Sequence, residues 1–216
     1  MKIGVFDSGI GGEAVAKSLQ THFPDAEVLT VNDKINVPYG SKPPEHIISL
    51  TDAAIQPLLE ANVDIIVLAC NTATAAAISW LRKTYPNQQF VGLEPMIKPA
   101  AALSKSGVIG ICATPSTLSS ERYQSLIHRY AGDIFVLEPD CSDWAYMIEH
   151  NQINHEHIKT TIESLCSRGA DVIVLGCTHY HWIKDLIVEI ADGRATIIEP
   201  STAIARRIES LLVPAR

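Results

Sequence analysis

Two cysteines stand where acid/base chemistry would need them. Cys70 closes the run DIIVLA (Asp64–Ala69) and leads into Asn71-Thr72, and Cys177 closes DVIVLG (Asp171–Gly176) and leads into Thr178-His179. Each acidic residue and apolar run reads as a buried strand, and the polar stretch after the cysteine as the opening of a helix. Amide N–H groups and the dipole at a helix N-terminus favour a thiolate over a thiol, whose ordinary pKa is about 8.5. Asp7, Glu149 or His179 could exchange a proton with such a group. Two thiols facing one carbon suit one reaction type: a thiolate takes a proton from one face and the opposite thiol delivers a proton to the other. The alternative is a pair of core cysteines left on equivalent strands by duplication. Asn71-Thr72 and Thr178-His179 are poor core fillers, which favours the chemical reading.

Other strand ends are equally polar. Asp7-Ser8-Gly9-Ile10-Gly11-Gly12 follows the first apolar run, and Thr114-Pro115-Ser116-Thr117 holds the matching place later in the chain. The spacing S-G-x-G-G is neither a dinucleotide fingerprint nor a phosphate loop ending in Lys-Ser/Thr. It fits a backbone cradle for a carboxylate and, equally, a tight turn that needs glycine. There are five cysteines and no C-x-x-C pair, which argues against a disulfide framework or a cysteine-rich zinc site. Cys112 and Cys166 sit inside apolar patterns and read as small buried hydrophobes.

The elements that must position these residues alternate. Lys2–Phe6, Glu27–Val31, Ile65–Ala69, Phe90–Leu93, Val108–Cys112, Ile134–Leu137, Val172–Gly176 and Thr196–Ile198 read as strands. Ala14–Leu19, Glu45–Glu60, Thr72–Thr84, Leu118–Tyr130, His155–Ser167, Trp182–Ile190 and Thr202–Leu212 carry apolar residues at helical spacing. The alternation predicts an α/β fold with parallel sheets. Three landmarks recur in order: IGVFDS at Ile3 and IGICAT at Ile109, Cys70 and Cys177, Glu94 and Glu199, at offsets of 106, 107 and 105. The expectation is two pseudo-symmetric α/β lobes related by duplication. The first spans residues 1–97, with the C-terminal helix of residues 201–216 packing back on it, and the second spans 98–200. In open α/β sheets ligands bind beyond the carboxyl ends of the strands, so both cysteines are expected in one interlobe cleft.

The bulk composition agrees with a small-molecule protein. The chain has 216 residues, 47% apolar and 19% charged, with a net charge of −7. No Lys/Arg cluster or aromatic–basic stripe appears, which disfavours a nucleic-acid partner. No run approaches the ~18 apolar residues of a membrane helix, and MKIGVFDSGIGG lacks the apolar stretch and cleavage site of a signal peptide. A cytoplasmic location is expected, with no membrane partner.

FDSGIGG (Phe6–Gly12), PYG (Pro38–Gly40), ACNTA (Ala69–Ala73), GVIG (Gly107–Gly110), ATPST (Ala113–Thr117) and GCTHY (Gly176–Tyr180) together resemble the glutamate racemase family. This family belongs to the cofactor-independent aspartate/glutamate racemase superfamily. The resemblance implies an amino-acid racemase interconverting L- and D-glutamate without pyridoxal phosphate or metal, supplying D-glutamate for peptidoglycan, and a homodimer. It implies Cys70 and Cys177 as the acid/base thiols, Asp7 supporting Cys70, and His179 with Glu149 supporting Cys177. Asp7, Ser8, Tyr39, Gly40, Asn71, Thr72, Thr114, Thr117, Thr178 and His179 would bind the amino acid. The chain departs from the pattern in places. Lys34-Ile35-Asn36 stands where Thr-Ala-Arg usually follows the aspartate at Asp33, Ser142 follows Cys141 instead of Pro, and His181 follows GCTHY instead of Pro. A racemase for aspartate or other amino acids, and a two-lobe binding protein of low activity, remain as alternatives.

Overall fold

A computed structural model describes residues 1–212. The chain forms two compact units, one of residues 1–93 together with the helix after Pro200, the other Glu94–Glu199. The expected C-terminal helix is seen as far as Leu212, and residues 213–216 of that expectation lie outside the described residues.

The first unit is built on four parallel strands, β1 (Lys2–Asp7), β2 (Glu27–Asn32), β3 (Ile65–Leu68) and β4 (Gln89–Gly92), in the order β2-β1-β3-β4. Side chains alternate between faces along each strand, and both faces are covered. Ile3 and Val5 of β1 and Ile65 and Val67 of β3 pack with Val15 and Leu19 of α1 (Gly11–His22) and with Ile204 and Ile208 of the last helix. Phe6, Ile66 and Leu68 face the other way, against Ile47, Ile55 and Leu58 of α2 (Pro44–Glu60) and Ala77, Ile78 and Leu81 of α3 (Asn71–Thr84). Double coverage is why β3 reads as an unbroken apolar run rather than an alternating one.

The second unit repeats the plan. β5 (Val108–Cys112), β6 (Phe135–Leu137), β7 (Val172–Leu175) and β8 (Thr196–Ile198) are parallel in the order β6-β5-β7-β8. One face packs on α4 (Ile97–Leu103) and α6 (Glu121–Tyr130), through Ile97, Ile109, Ile111, Tyr123, Val172 and Val174. On the other, a Cβ added at Gly110 would stand 2.9 Å from Leu165 of α8 (His155–Ser167), so glycine lets that helix settle close to β5. The two sheets share one strand order, which is the duplication seen in the sequence. No described helix is long and apolar enough to cross a membrane.

Several elements differ from the sequence reading. The stretch expected as one helix over Leu118–Tyr130 is two, α5 (Pro115–Leu118) and α6, because the Ser120 hydroxyl accepts the Tyr123 amide at 3.2 Å and starts a new helix. The helix expected over Trp182–Ile190 starts only at Lys184, as α9 (Lys184–Ala191), and Thr178–Ile183 is a 3₁₀ turn. A further helix, α7 (Trp144–Glu149), lies in a stretch the periodicity left unassigned. The last helix, α10 (Ser201–Leu212), completes the set. Cys112 is buried, whereas Cys166 near the end of α8 is only partly so.

The duplicated aspartates at the strand starts tie each unit together. Asp64 accepts the Lys2 amide at 2.7 Å. Asp171 accepts the Ser104 hydroxyl at 2.6 Å and the Lys105 and Ser106 amides at 2.6 and 2.8 Å. Burial opposes the Asp171 charge, but these donors outweigh it and hold the carboxyl down at about 2. A depressed carboxyl contributes stability above its unfolded pKa of about 3.9 and loses it as pH falls through the folded value. Asp171→Asn is therefore expected to cost about 1 kcal/mol at pH 7. Chemical denaturation across pH should show that deficit shrinking between about pH 4 and pH 2.

Candidate active site

In the first unit the sites converge at the carboxyl edge of the sheet. β1 and β3 are neighbours in register, with Phe6 opposite Leu68, and the Ala69 amide adds one more rung to the Phe6 carbonyl at 2.7 Å. That rung sets Cys70 beside Ser8, and the Ser8 Oγ to Cys70 Sγ distance is 3.2 Å. Cys70 is the N-cap of α3, with its sulfur 3.4 Å from the Ala73 amide, which donates to it. The donated amide favours an anionic sulfur, and the Ser8 hydroxyl can either donate to that sulfur or accept from its thiol. Asp7 is fully buried at the end of β1, and its carboxylate accepts the Gly9 amide at 2.7 Å, closing the turn.

Asn71 and Thr72, the first residues of α3, are both buried. Neither the oxygen nor the nitrogen of the Asn71 amide has a hydrogen-bond partner. A buried amide with both ends unsatisfied costs folding free energy unless a ligand completes it. Asn32 Oδ1 is likewise buried and unpartnered, at the end of β2 and in register with Asp7. Tyr39, in the 3₁₀ turn Tyr39–Ser41 with Gly40, is 1% exposed and donates its hydroxyl to Asp33 Oδ2 at 2.7 Å. Its phenol is pushed well up by burial, then by the bond to Asp33 and by the negative charges of Asp33, Cys70 and Asp7, so it stays protonated.

The second unit gathers its own set. The Gly176 amide bonds the Cys112 carbonyl at 2.7 Å, the counterpart of the Ala69 rung, and Cys177 follows. Cys177 precedes a 3₁₀ turn and makes no cap bond through its side chain. Its neighbour is His179, with Sγ 3.7 Å from Nδ1. His179 Nε2 lies 2.5 Å from Glu149 Oε1, and the two side chains are 3% and 9% exposed. The carboxylate fixes Nε2 as the donor, so Nδ1 can take the Cys177 proton or, as imidazolium, face a thiolate. Thr114 caps α5, receiving the Thr117 amide at 3.3 Å and donating to the Thr117 hydroxyl at 3.0 Å. Thr114, Thr117 and Thr178 are all buried.

Cys141 behaves differently from Cys70 and Cys177. A hydrogen bond with Cys112, and then burial, drive its thiol far up, so it stays neutral. Tyr180 donates to the Cys141 carbonyl at 3.0 Å and packs edge-on to Trp144 at 5.2 Å, which braces α7 and its terminal Glu149. Sequence reasoning left out Asp33 and Asn36 as site residues. The signal was present in Asp33, one turn before Pro38-Tyr39-Gly40, but a carboxylate's partner is invisible until the loop is folded.

The chain matches the model of the Asp/Glu/Hydantoin racemase family over residues 12–208. It is 40% identical to the glutamate racemase of Herpetosiphon aurantiacus over 99% of this chain and 85% of that one. Among solved structures it is similar to Escherichia coli glutamate racemase in complex with L-glutamate and the activator UDP-MurNAc-Ala. That match has a TM-score of 0.89 and 28% identity, over 98% of this chain and 82% of that one. Francisella tularensis glutamate racemase in complex with D-glutamate matches with a TM-score of 0.82 and 28% identity, over 98% and 80%.

Close packing around Asp7 supplies a test of the geometry. A Cβ at Gly12 would stand 2.5 Å from Asp7 Cβ and 3.1 Å from Asn32 Oδ1. Gly12→Ala should destabilise the protein by roughly 1–3 kcal/mol through overpacking, read as a lowered urea midpoint with an unchanged slope. Two strand ends that each present a cysteine to proton-handling partners, on a duplicated parallel α/β plan shared with these relatives, place the chain in the Asp/Glu/hydantoin racemase family.

Proposed function

We propose that the protein interconverts L- and D-glutamate, with Cys70 and Cys177 as acid/base thiols on opposite faces of the α-carbon and with no organic cofactor or metal. The observation that carries this reading is the equivalence of the two cysteines. Each follows the same strand of its unit, one residue past the same backbone rung, beside a group that can stabilise a thiolate or take its proton. In one direction the Cys70 thiolate takes the α-proton, and the C–H electron pair spreads into the α-carboxylate. The Cys177 thiol then delivers its proton to the far face, leaving Cys70 as thiol and Cys177 as thiolate. The reverse direction exchanges their roles. His179, backed by Glu149, holds or returns the Cys177 proton, and Ser8, with Asp7 adjoining it, steadies Cys70.

The developing enediolate needs donors already in place. The unpartnered Asn71 amide and the buried hydroxyls of Thr72, Thr114, Thr117 and Thr178 suit this task and the binding of the amino acid's charged ends, together with the Tyr39-Gly40 turn. The D-glutamate formed supplies peptidoglycan in this reading.

Cys70→Ser and Cys177→Ser should each lower racemisation in both directions by at least about 10²-fold, since one turnover needs a base and an acid together. In deuterated water, early product should carry deuterium at Cα while unreacted substrate carries almost none. Equal labelling of both pools would point to a single base. Activity should persist after exhaustive chelation. Chiral chromatography with both enantiomers of glutamate and aspartate should show a higher kcat/KM for glutamate, and a higher value for aspartate would overturn the substrate assignment alone.

A further inference from the structure

We infer that Asp33, anchored by Asn36, is a positioning residue for substrate binding: it fixes Tyr39 and with it the Pro38–Gly40 turn beside Cys70. This rests on the proposed function and adds to it two residues with no role assigned above. Asp33 is bonded at every polar atom. Its amide donates to the Asp7 carbonyl at 3.0 Å, and its carbonyl accepts the Asn36 amide at 3.2 Å. Its carboxylate receives the Asn36 Nδ2 amide at both oxygens, at 2.9 and 3.0 Å, and the Tyr39 hydroxyl at 2.7 Å. One residue thus joins the strand end that carries Asp7 to the turn that carries Tyr39.

The loop has little else to hold it. Lys34 and Ile35 form its tip, and Ile35 is 94% exposed, so the tip has no apolar anchor. Lys34 pairs with Glu13 at 3.3 Å, but both side chains are at least half exposed, and such surface pairs contribute little. Charge-assisted hydrogen bonds to a partly enclosed carboxylate are the strong contacts available. Tyr39, by contrast, is packed in one cluster with Phe6, Leu68 and Cys70, its ring 6.3 Å from that of Phe6. Its one hydroxyl proton is committed to Asp33. A Tyr39 released from Asp33 would keep its apolar cluster but lose the bond that sets the height of the turn. The changed residues Lys34–Val37 therefore retain a function-specific contact in Asn36, which supplies the carboxylate's second donor.

Steady-state racemisation of glutamate by the full chain tests this with Asp33→Ala, Tyr39→Phe, Asn36→Ala and the Asp33→Ala/Asn36→Ala pair. Asp33→Ala and Tyr39→Phe are expected to raise KM about tenfold, and Asn36→Ala several-fold, with kcat held within a factor of about 3. Asn36→Ala should add nothing on the Asp33→Ala background, because its effect runs through that carboxylate. A purely structural role would lower the folded fraction, and so apparent kcat, and leave KM unchanged. Unmoved KM in Tyr39→Phe and Asn36→Ala, or full additivity in the pair, would overturn the inference with the racemase reading intact. A wild-type chain inactive on glutamate would overturn both.

Discussion

The Ala69 amide bonded to the Phe6 carbonyl, and the Gly176 amide bonded to the Cys112 carbonyl, both at 2.7 Å, are the points on which the site depends. Each is the last rung between two neighbouring parallel strands, one residue beyond the strand itself. In each parallel sheet all carboxyl ends emerge on one edge, so whatever follows its rung is delivered to that edge. The first rung sets Cys70 beside Ser8, and the second sets Cys177 after Gly176. Gly176 has no room to spare: a Cβ there would come within 3.0 Å of Ala113 Cβ and 3.2 Å of the Cys112 carbonyl oxygen. The backbone ladder thus positions both sulfurs before any side chain contributes.

Beyond that shared rung the two copies diverge. Cys70 starts a full α-helix, and its sulfur accepts the Ala73 amide of the first turn. Cys177 starts a 3₁₀ turn, and a short turn offers little dipole. There the sulfur's neighbour is His179 Nδ1, whose Nε2 meets Glu149. The repeat gives the two thiols equivalent places, and each has different polar neighbours. Cys141 shows the opposite case, since a hydrogen bond with Cys112, and then burial, hold its thiol neutral.

The polar groups between these sulfurs and the core are expensive. Asp7, Ser8, Asn71, Thr72, Thr114, Thr117, Thr178 and His179 are all buried. Asp7 is satisfied in its turn, and Thr114 and Thr117 in their cap. The Asn71 amide makes no hydrogen bond within the described residues at either end, which costs folding free energy.

The sequence by itself determined the order of the eight strands, the parallel α/β class, the repeat and the placing of Cys70 and Cys177 at strand ends. These follow from local signals: apolar runs of strand length, helical periodicity, and a polar break after each run. The family resemblance singled out Glu149 but not its contact. Only the tertiary structure decided that Glu149, 30 residues before His179 with α8 and β7 between them, meets it at 2.5 Å. Only folding could show that Asn36 and Tyr39 share the Asp33 carboxylate. The same holds for the neutral Cys141 beside Cys112, and for the 3₁₀ turn where helical spacing had suggested a helix. Periodicity reports which face of an element is apolar, whereas hydrogen bonds between distant side chains depend on how the elements stack, which no short window of sequence encodes.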